Sequence, residues 1–180
     1  MDSTKTHRLR CIVPGPLVHA RIDALAEQLA TVYASSDLLV VHIDEGARPF
    51  ARELVEGLEA RLLLPDTLAI RASRTKGTEL VGVQISKTSI GAVAGRDVLL
   101  VDDIADEGRT LEAVMELIAE GEPRSIEIAV LVSKHERRRV KLPIGYVGFD
   151  VPDGWIVGFG MDLDGAYRDL DYIAIAEPTD

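Results

Sequence analysis

The sequence predicts an α/β fold, a parallel sheet with helices on both faces, and three observations carry that prediction. Short apolar runs alternate with amphipathic stretches through the middle of the chain. Apolar residues make up 47% of the 180 residues and charged ones 28%, so one domain can bury enough surface to offset its ordering entropy. The clearest buried strand, residues 97 to 101, runs into an acidic turn and then a helix. In parallel sheets, ligands collect at that carboxyl edge.

Val18, Ile22, Leu25, Leu29 and Val32 recur at helical spacing between Pro16 and the Ser35-Ser36 break and define a first helix. DLLVVHI, residues 37 to 43, is a β-rich run, and Phe50, Leu54, Val55 and Leu58 mark the helix that follows. Two extended segments, LLLPDTLAI and ELVGVQISK, flank the polar stretch RASRTKGT, which is expected to be a mobile loop. Past the acidic turn, Leu111, Val114, Met115 and Ile118 share one helical face. SIEIAVLVS, residues 125 to 133, is the next strand, followed by the charged KHERRR segment and short extended pieces near Tyr146, Trp155 and Tyr172. No internal repeat divides the chain, and residues 1–180 are expected to form a single domain.

Charge and cysteine usage exclude several function classes. A formal charge of −10 repels nucleic-acid phosphates, so no nucleic-acid partner is expected. A small anionic ligand needs local help from backbone amides, arginines or a divalent cation. The single cysteine, Cys11, excludes an internal disulfide framework and a cysteine-based zinc cage, which fits a reducing cytoplasm. The polar, basic leader MDSTKTHRLR carries no apolar segment behind it, and no run reaches the length of a membrane span, so a soluble cytoplasmic protein is expected. His7, His19, His42 and His135 show no ligand spacing, and the basic run Arg137 to Arg139, beside Lys134 and Lys141, reads as a solvated loop.

Residues 98 to 118, VLLVDDIADEGRTLEAVMELI, concentrate the chemistry. Asp102 and Asp103 stand just past the apolar strand, Asp106 follows, Gly108 permits a tight turn, and Thr110 opens a helix whose free amides and dipole favour a phosphate. One loop thus offers acceptors for a diol and donors for a phosphate, the two demands of a ribose 5-phosphate. The competing reading, helix capping alone, needs one acidic residue, whereas three cluster in five positions here.

An apolar strand followed by two acidic residues and a D-x-G-x-T loop resembles the phosphoribosyl pyrophosphate signature of type I phosphoribosyltransferases. Residues 147 to 175, VGFDVPDGWIVGFGMDLDGAYRDLDYIAI, are similar to the corresponding stretch of hypoxanthine-guanine phosphoribosyltransferases, and the early helix and the Lys134 segment match in order. The resemblance implies a type I phosphoribosyltransferase-like parallel sheet flanked by helices, with a small hood contributed by about residues 1–20 and 145–180. It implies magnesium-dependent transfer of the phosphoribosyl group from phosphoribosyl pyrophosphate to a 6-oxopurine, hypoxanthine and/or guanine, in purine salvage, by a homodimer or homotetramer.

By that resemblance Asp102 and Asp103 accept hydrogen bonds from the ribose hydroxyls, and the backbone of Asp106, Glu107, Gly108, Arg109 and Thr110 holds the 5′-phosphate. Asp106 is the catalytic proton acceptor for the purine imidazole nitrogen. Lys134 falls where the family places a lysine on the 6-oxo group, Trp155 where an aromatic residue stacks on the base, and Ile156 where the backbone meets the base edge. Asp162 would be a magnesium ligand and Arg168 a pyrophosphate contact. The physics agrees: a buried 6-oxo oxygen needs a donor, an indole offers a π face, and a polyanionic leaving group in an acidic protein needs a hard cation. The bland alternatives are a surface lysine, a core tryptophan and, for Asp162 and Asp164, a solvated turn.

Three segments depart from the family pattern. Asp44, Glu45 and Gly46 occupy the pyrophosphate loop in place of a Lys-Gly pair, with Arg48 nearby as a compensating charge. Ser73 and Arg74 occupy the lid in place of Ser-Tyr, and Glu107 replaces a threonine in the phosphate loop. The acidic Asp44-Glu45 loop favours one rival, a non-catalytic regulator of the same fold that senses phosphoribosyl pyrophosphate or nucleotide. A signalling receiver domain fits poorly, because its acidic pair belongs at the first strand.

Overall fold

The computed structural model describes residues 7–74, 80–84 and 91–179. Strand β1 (His7–Val13) leads into α1 (Gly15–Val32), followed by β2 (Leu38–Asp44), α2 (Arg48–Glu59), β3 (Asp66–Arg74) and β4 (Leu80–Gln84). Then come β5 (Asp97–Ala105), α3 (Arg109–Ala119), β6 (Ser125–Ser133), a 3₁₀ turn (His135–Arg137), β7 (Ile144–Asp150), β8 (Trp155–Val157) and β9 (Ile173–Pro178). The main sheet has the order β4-β3-β2-β5-β6-β7. Its five strands from β3 to β7 pair in parallel, and β4 closes the β3 edge antiparallel.

Side-chain alternation along the central strands builds a core on each face. Leu38 and Val40 of β2, Leu99 and Val101 of β5, and Ala129 and Leu131 of β6 pack with Ile22, Leu25 and Leu29 of α1 and with Phe50, Leu54 and Leu58 of α2. The intervening residues Leu39, Val41, Val98, Leu100, Ile128 and Val130 pack with Leu111, Val114 and Ile118 of α3. Both faces are covered, which is why these strands read as continuous apolar runs.

A small antiparallel sheet, β1-β9-β8, brings the two ends of the described chain together, with His7 opposite Pro178 and Trp155 opposite Ala176. Strand β7 lies in the main sheet, parallel to β6. Two local expectations need correction. Arg71 to Arg74, read as the start of a loop, continue β3, because β4 supplies an antiparallel partner for them. Asp102 and Asp103, read as lying past the strand, belong to β5, whose pairing with β6 carries on to Ala105 opposite Ser133. Among the described residues no helix is long and apolar enough to cross a membrane.

Candidate active site

Three segments meet at the carboxyl edge of the main sheet: the turn after β2, the end of β5 with the start of α3, and the loop between β8 and β9. At the β5 end each aspartate is oriented by the next backbone amide. Asp103 N–H donates to Asp102 Oδ1 at 3.1 Å, and Ile104 N–H donates to Asp103 Oδ1 at 2.8 Å. Asp102 is buried at 6% exposure, whereas Asp103 reaches toward the turn after β2. A Cβ on Gly46 would lie 2.0 Å from Asp103 Oδ2, so only glycine admits that approach. Gly160, at φ +96°, stacks behind it, since a Cβ there would lie 2.0 Å from the Gly46 carbonyl oxygen.

The start of the helix that follows is fixed by a glycine. Gly108 stands before α3 at φ +90°, and a side chain there would collide with Val140 and Leu142. The first-turn amides of α3 have no acceptor within the helix and carry the positive end of its dipole. Thr110 is buried in that turn. Glu107 is held by Arg109, whose Nε lies 3.1 Å from Glu107 Oε2, so the acidic replacement arrives with its own counter-ion.

Asp106 and Lys134, separated by 28 residues, come together here. Lys134 is 4% exposed; its ammonium donates to the Gly154 carbonyl oxygen at 2.6 Å and lies 3.5 Å from Asp106 Oδ2. The plain surface-lysine reading is therefore set aside. Gly154 precedes Trp155, so Lys134 joins the β5 loop to the strand carrying the aromatic ring. Trp155 is 57% exposed, which sets aside the core-tryptophan reading, and its indole N–H donates to the Asp162 carbonyl oxygen at 3.0 Å. Ile156 beside it is buried at 5%.

Asp162 and Arg168, assigned to separate subsites by the family resemblance, form an ion pair at 2.8 Å. Asp162 Oδ2 also accepts the Gly165 N–H, and Arg168 donates to the Gly160 carbonyl oxygen at 2.6 Å. No group of three or more His, Cys, Asp or Glu side chains among the described residues could hold a metal by itself. In the turn after β2, Asp44 accepts a bidentate pair from Arg48 at 3.0 and 2.7 Å, and Glu45 is exposed. The Arg48 guanidinium beside Asp44 holds that carboxyl below the usual range. Arg48 thus compensates the charge of Asp44, as expected, and is not paired with the exposed Glu45. Ser73 and Arg74 end β3, and their side chains, with residues 75–78 of the expected lid, lie outside the described residues.

The basic run after Lys134 is not a solvated loop throughout. Arg137 Nε lies 2.8 Å from Asp106 Oδ1, and Arg138 donates to the carbonyl oxygens of Ala105 and Asp106 and to Ser133 Oγ. Burial lowers the Arg138 pKa from its ordinary value. Arg138 pins the turn between β5 and α3 to the end of β6. The signal was present in the sequence: these arginines follow a central strand at the edge where ligands collect. An open cleft of about 330 Å³ lined by Val40, His42, Arg48, Ala51, Val55 and Thr67 lies between β2, β3 and α2 and contains none of the predicted substrate-binding residues.

The phosphoribosyl transferase domain family matches residues 11–164. The hypoxanthine phosphoribosyltransferase of Haemophilus influenzae is 34% identical over 175 residues, covering 94% of this chain and 96% of its own. A crystal structure of hypoxanthine phosphoribosyltransferase from Staphylococcus aureus matches with a TM-score of 0.82 at 26% identity, covering 94% of this chain and 91% of that one. A hypoxanthine-guanine phosphoribosyltransferase from Bacillus anthracis matches with a TM-score of 0.80 at 27% identity, covering 95% and 99%. The chain therefore belongs to the phosphoribosyltransferase family, among the hypoxanthine phosphoribosyltransferases, and is a transferase.

Proposed function

We propose that the chain transfers the 5-phosphoribosyl group from phosphoribosyl pyrophosphate to a 6-oxopurine, hypoxanthine and/or guanine, giving the nucleoside 5′-monophosphate and pyrophosphate. The observation that carries the reading is the position of Lys134, whose buried ammonium lies between Asp106 of the sugar-phosphate loop and Gly154 next to the exposed indole. A donor there meets the 6-oxo oxygen of a base stacked on Trp155, and rejects a 6-amino group that would leave both donors unpaired. The guanine part of the substrate range is supported by the Bacillus anthracis relative's name.

In this reading Asp102 and Asp103 accept the ribose hydroxyls, and the backbone amides from Asp106 to Thr110, leading into α3, take the 5′-phosphate. The purine nitrogen forms its bond to the anomeric carbon while the bond to the pyrophosphate oxygen breaks and that oxygen leaves with the electron pair. Asp106 accepts the proton the nitrogen sheds. Ile156 meets the base edge through its backbone. Magnesium is the implied cation, and the donor set fits it: it prefers oxygen, keeps waters, and needs one protein carboxylate beside substrate oxygens. Asp162 would hold it once Arg168 exchanges that carboxylate for pyrophosphate. When bound, the ion neutralises the leaving group's charge.

We read β1, β8 and β9 as the hood over the base, Ser73 and Arg74 as part of the lid, and the assembly as a homodimer or homotetramer. The rival regulator reading loses support, because Asp44 is neutralised by Arg48 and only Glu45 remains exposed in that turn. The test is pyrophosphate release with hypoxanthine, guanine, xanthine and adenine, with and without magnesium, with Asp106→Asn as control. The substitution should leave ligand binding largely intact and slow turnover by roughly two to four powers of ten. Unimpaired turnover removes Asp106 from the mechanism, and tight nucleotide binding without turnover in the parent chain favours the regulator.

A further inference from the structure

We propose that Arg137, held in place by Asp153, is a positioning residue for Asp106 and sets the pH at which Asp106 can take up the purine proton. The inference rests on the reading of Asp106 as proton acceptor. It begins from a four-membered ring of charges. Arg137 Nε lies 2.8 Å from Asp106 Oδ1, while its NH1 lies 3.3 and 3.5 Å from the two carboxylate oxygens of Asp153. Lys134 Nζ completes the ring, 3.5 Å from Asp106 Oδ2 and 3.8 Å from Asp153 Oδ1. Each cation bridges both carboxylates, and each carboxylate belongs to a different loop.

The two cations have different obligations. Lys134 is the donor proposed for the 6-oxo oxygen, so substrate draws it away from Asp106. Arg137 is then the side-chain cation left in contact with that carboxylate. Arg138, from the same turn, donates to the backbone carbonyl oxygen of Asp106 at 3.3 Å and to other oxygens, and Glu107 is turned to Arg109. Asp153 limits how tightly Arg137 grips Asp106, because the guanidinium is shared. Asp153 stays ionised throughout the working range: the Gly154 N–H holds its carboxyl below the usual value, with Arg137 and Lys134 adding to that effect. Once Asp106 is protonated it loses its hold on Arg137, and Asp153 keeps the guanidinium from following.

The sign of each perturbation follows. Removing a cation from contact with a carboxylate raises its proton affinity, whereas removing a neighbouring carboxylate lowers it. Arg137 and Asp153 are both about half exposed, so solvent screens each effect. The measurement is kcat against pH with both hypoxanthine and phosphoribosyl pyrophosphate saturating, which reports the complex in which the base has engaged Lys134. Arg137→Gln should move the acid limb up by about one pH unit, Asp153→Asn should move it down by about half a unit, and Arg137→Lys should return it most of the way.

Substrate phosphates titrate alike in every variant, so the differences report the protein. A purely structural role for Arg137 would lower activity at all pH values and leave the limb where it was, and that result overturns the proposal. Should Arg137→Gln fail to fold, the exposed Asp153→Asn variant still tests the sign. A parental profile without an acid limb, or unimpaired turnover in Asp106→Asn, would instead overturn the underlying proton-acceptor reading and this inference with it.

Discussion

Gly46→Ala probes the site with one methyl group. Its Cβ would sit 2.0 Å from Asp103 Oδ2 and 2.8 Å from Asp103 Cγ, where real Cβ contacts essentially never fall below 3.0 Å. The turn after β2 cannot retreat toward the β8–β9 loop, because Gly160 already packs against the Gly46 carbonyl oxygen as closely as a glycine allows. Asp103 must therefore give way by about 1 Å, straining the 2.8 Å bond from Ile104 N–H. Overpacking with a weakened hydrogen bond should cost about 1 to 3 kcal/mol of stability, which a folded protein of this size survives. Function should suffer more, since a 1 Å misplacement of a group that positions substrate costs on the order of 100-fold in rate. The assay is kcat/KM for phosphoribosyl pyrophosphate at saturating hypoxanthine, paired with urea unfolding. Gly91→Ala, whose Cβ meets nothing within 4 Å, is the control and should stay within about 0.5 kcal/mol of the parent with unchanged kinetics. Parental kcat/KM in Gly46→Ala would refute the claim that Asp103 holds the sugar against this turn.

Two further outcomes test other parts of the molecule. Asp97, buried at the amino end of β5, accepts from Ser36, Ser125 and Arg124, and the Arg124 pair chiefly pulls its carboxyl well below the usual range. A depressed folded pKa contributes stability above the unfolded value near 4, lost as pH falls through the folded value. Asp97→Asn should therefore cost about 2 to 3 kcal/mol at pH 7 in urea unfolding, with the gap to the parent shrinking below about pH 4; a constant gap would refute the ionic account. Trp155 is the chain's one tryptophan, so hypoxanthine should change its fluorescence, and Trp155→Ala should raise KM for the base about two- to tenfold with little loss of stability. An emission spectrum indifferent to base would remove the stacking role.

The fold was legible where burial is two-sided or amphipathic, because hydrophobic period alone separates the buried runs of β2, β5 and β6 from the stripes of α1, α2 and α3. It was illegible where pairing alone decides. His7 to Arg10 read as part of a polar leader, since most side chains of β1 are exposed or half-buried, and its partner β9 lies at the other end of the chain. Arg71–Arg74 reads as loop for the same reason: polar side chains say nothing of the backbone ladder that β4 offers. The aspartates at 102 and 103 were recognised by chemistry but placed beyond the strand, because carboxylates in a ladder contradict strand propensity, and parallel pairing with β6 outweighs it.

The arginines show a different limit. Net charge describes the far field, and in a chain of −10 it argues against a polyanionic partner for the run at 137–139. It says nothing about what each guanidinium touches. Arg138 spends its donors on the carbonyl oxygens of Ala105 and Asp106, which have no side-chain signature and are visible only once the end of β5 lies beside the end of β6. Asp162 and Arg168 follow the same logic. Spacing alone leaves the acidic turn a solvated one, yet the turn is built so that its carboxylate is held by a guanidinium that the proposed reaction recruits elsewhere. Pairing groups with each other before substrate arrives keeps an acidic site from accumulating unbalanced charge, and in the proposed reaction the Asp162–Arg168 pair is the one that gives way to pyrophosphate.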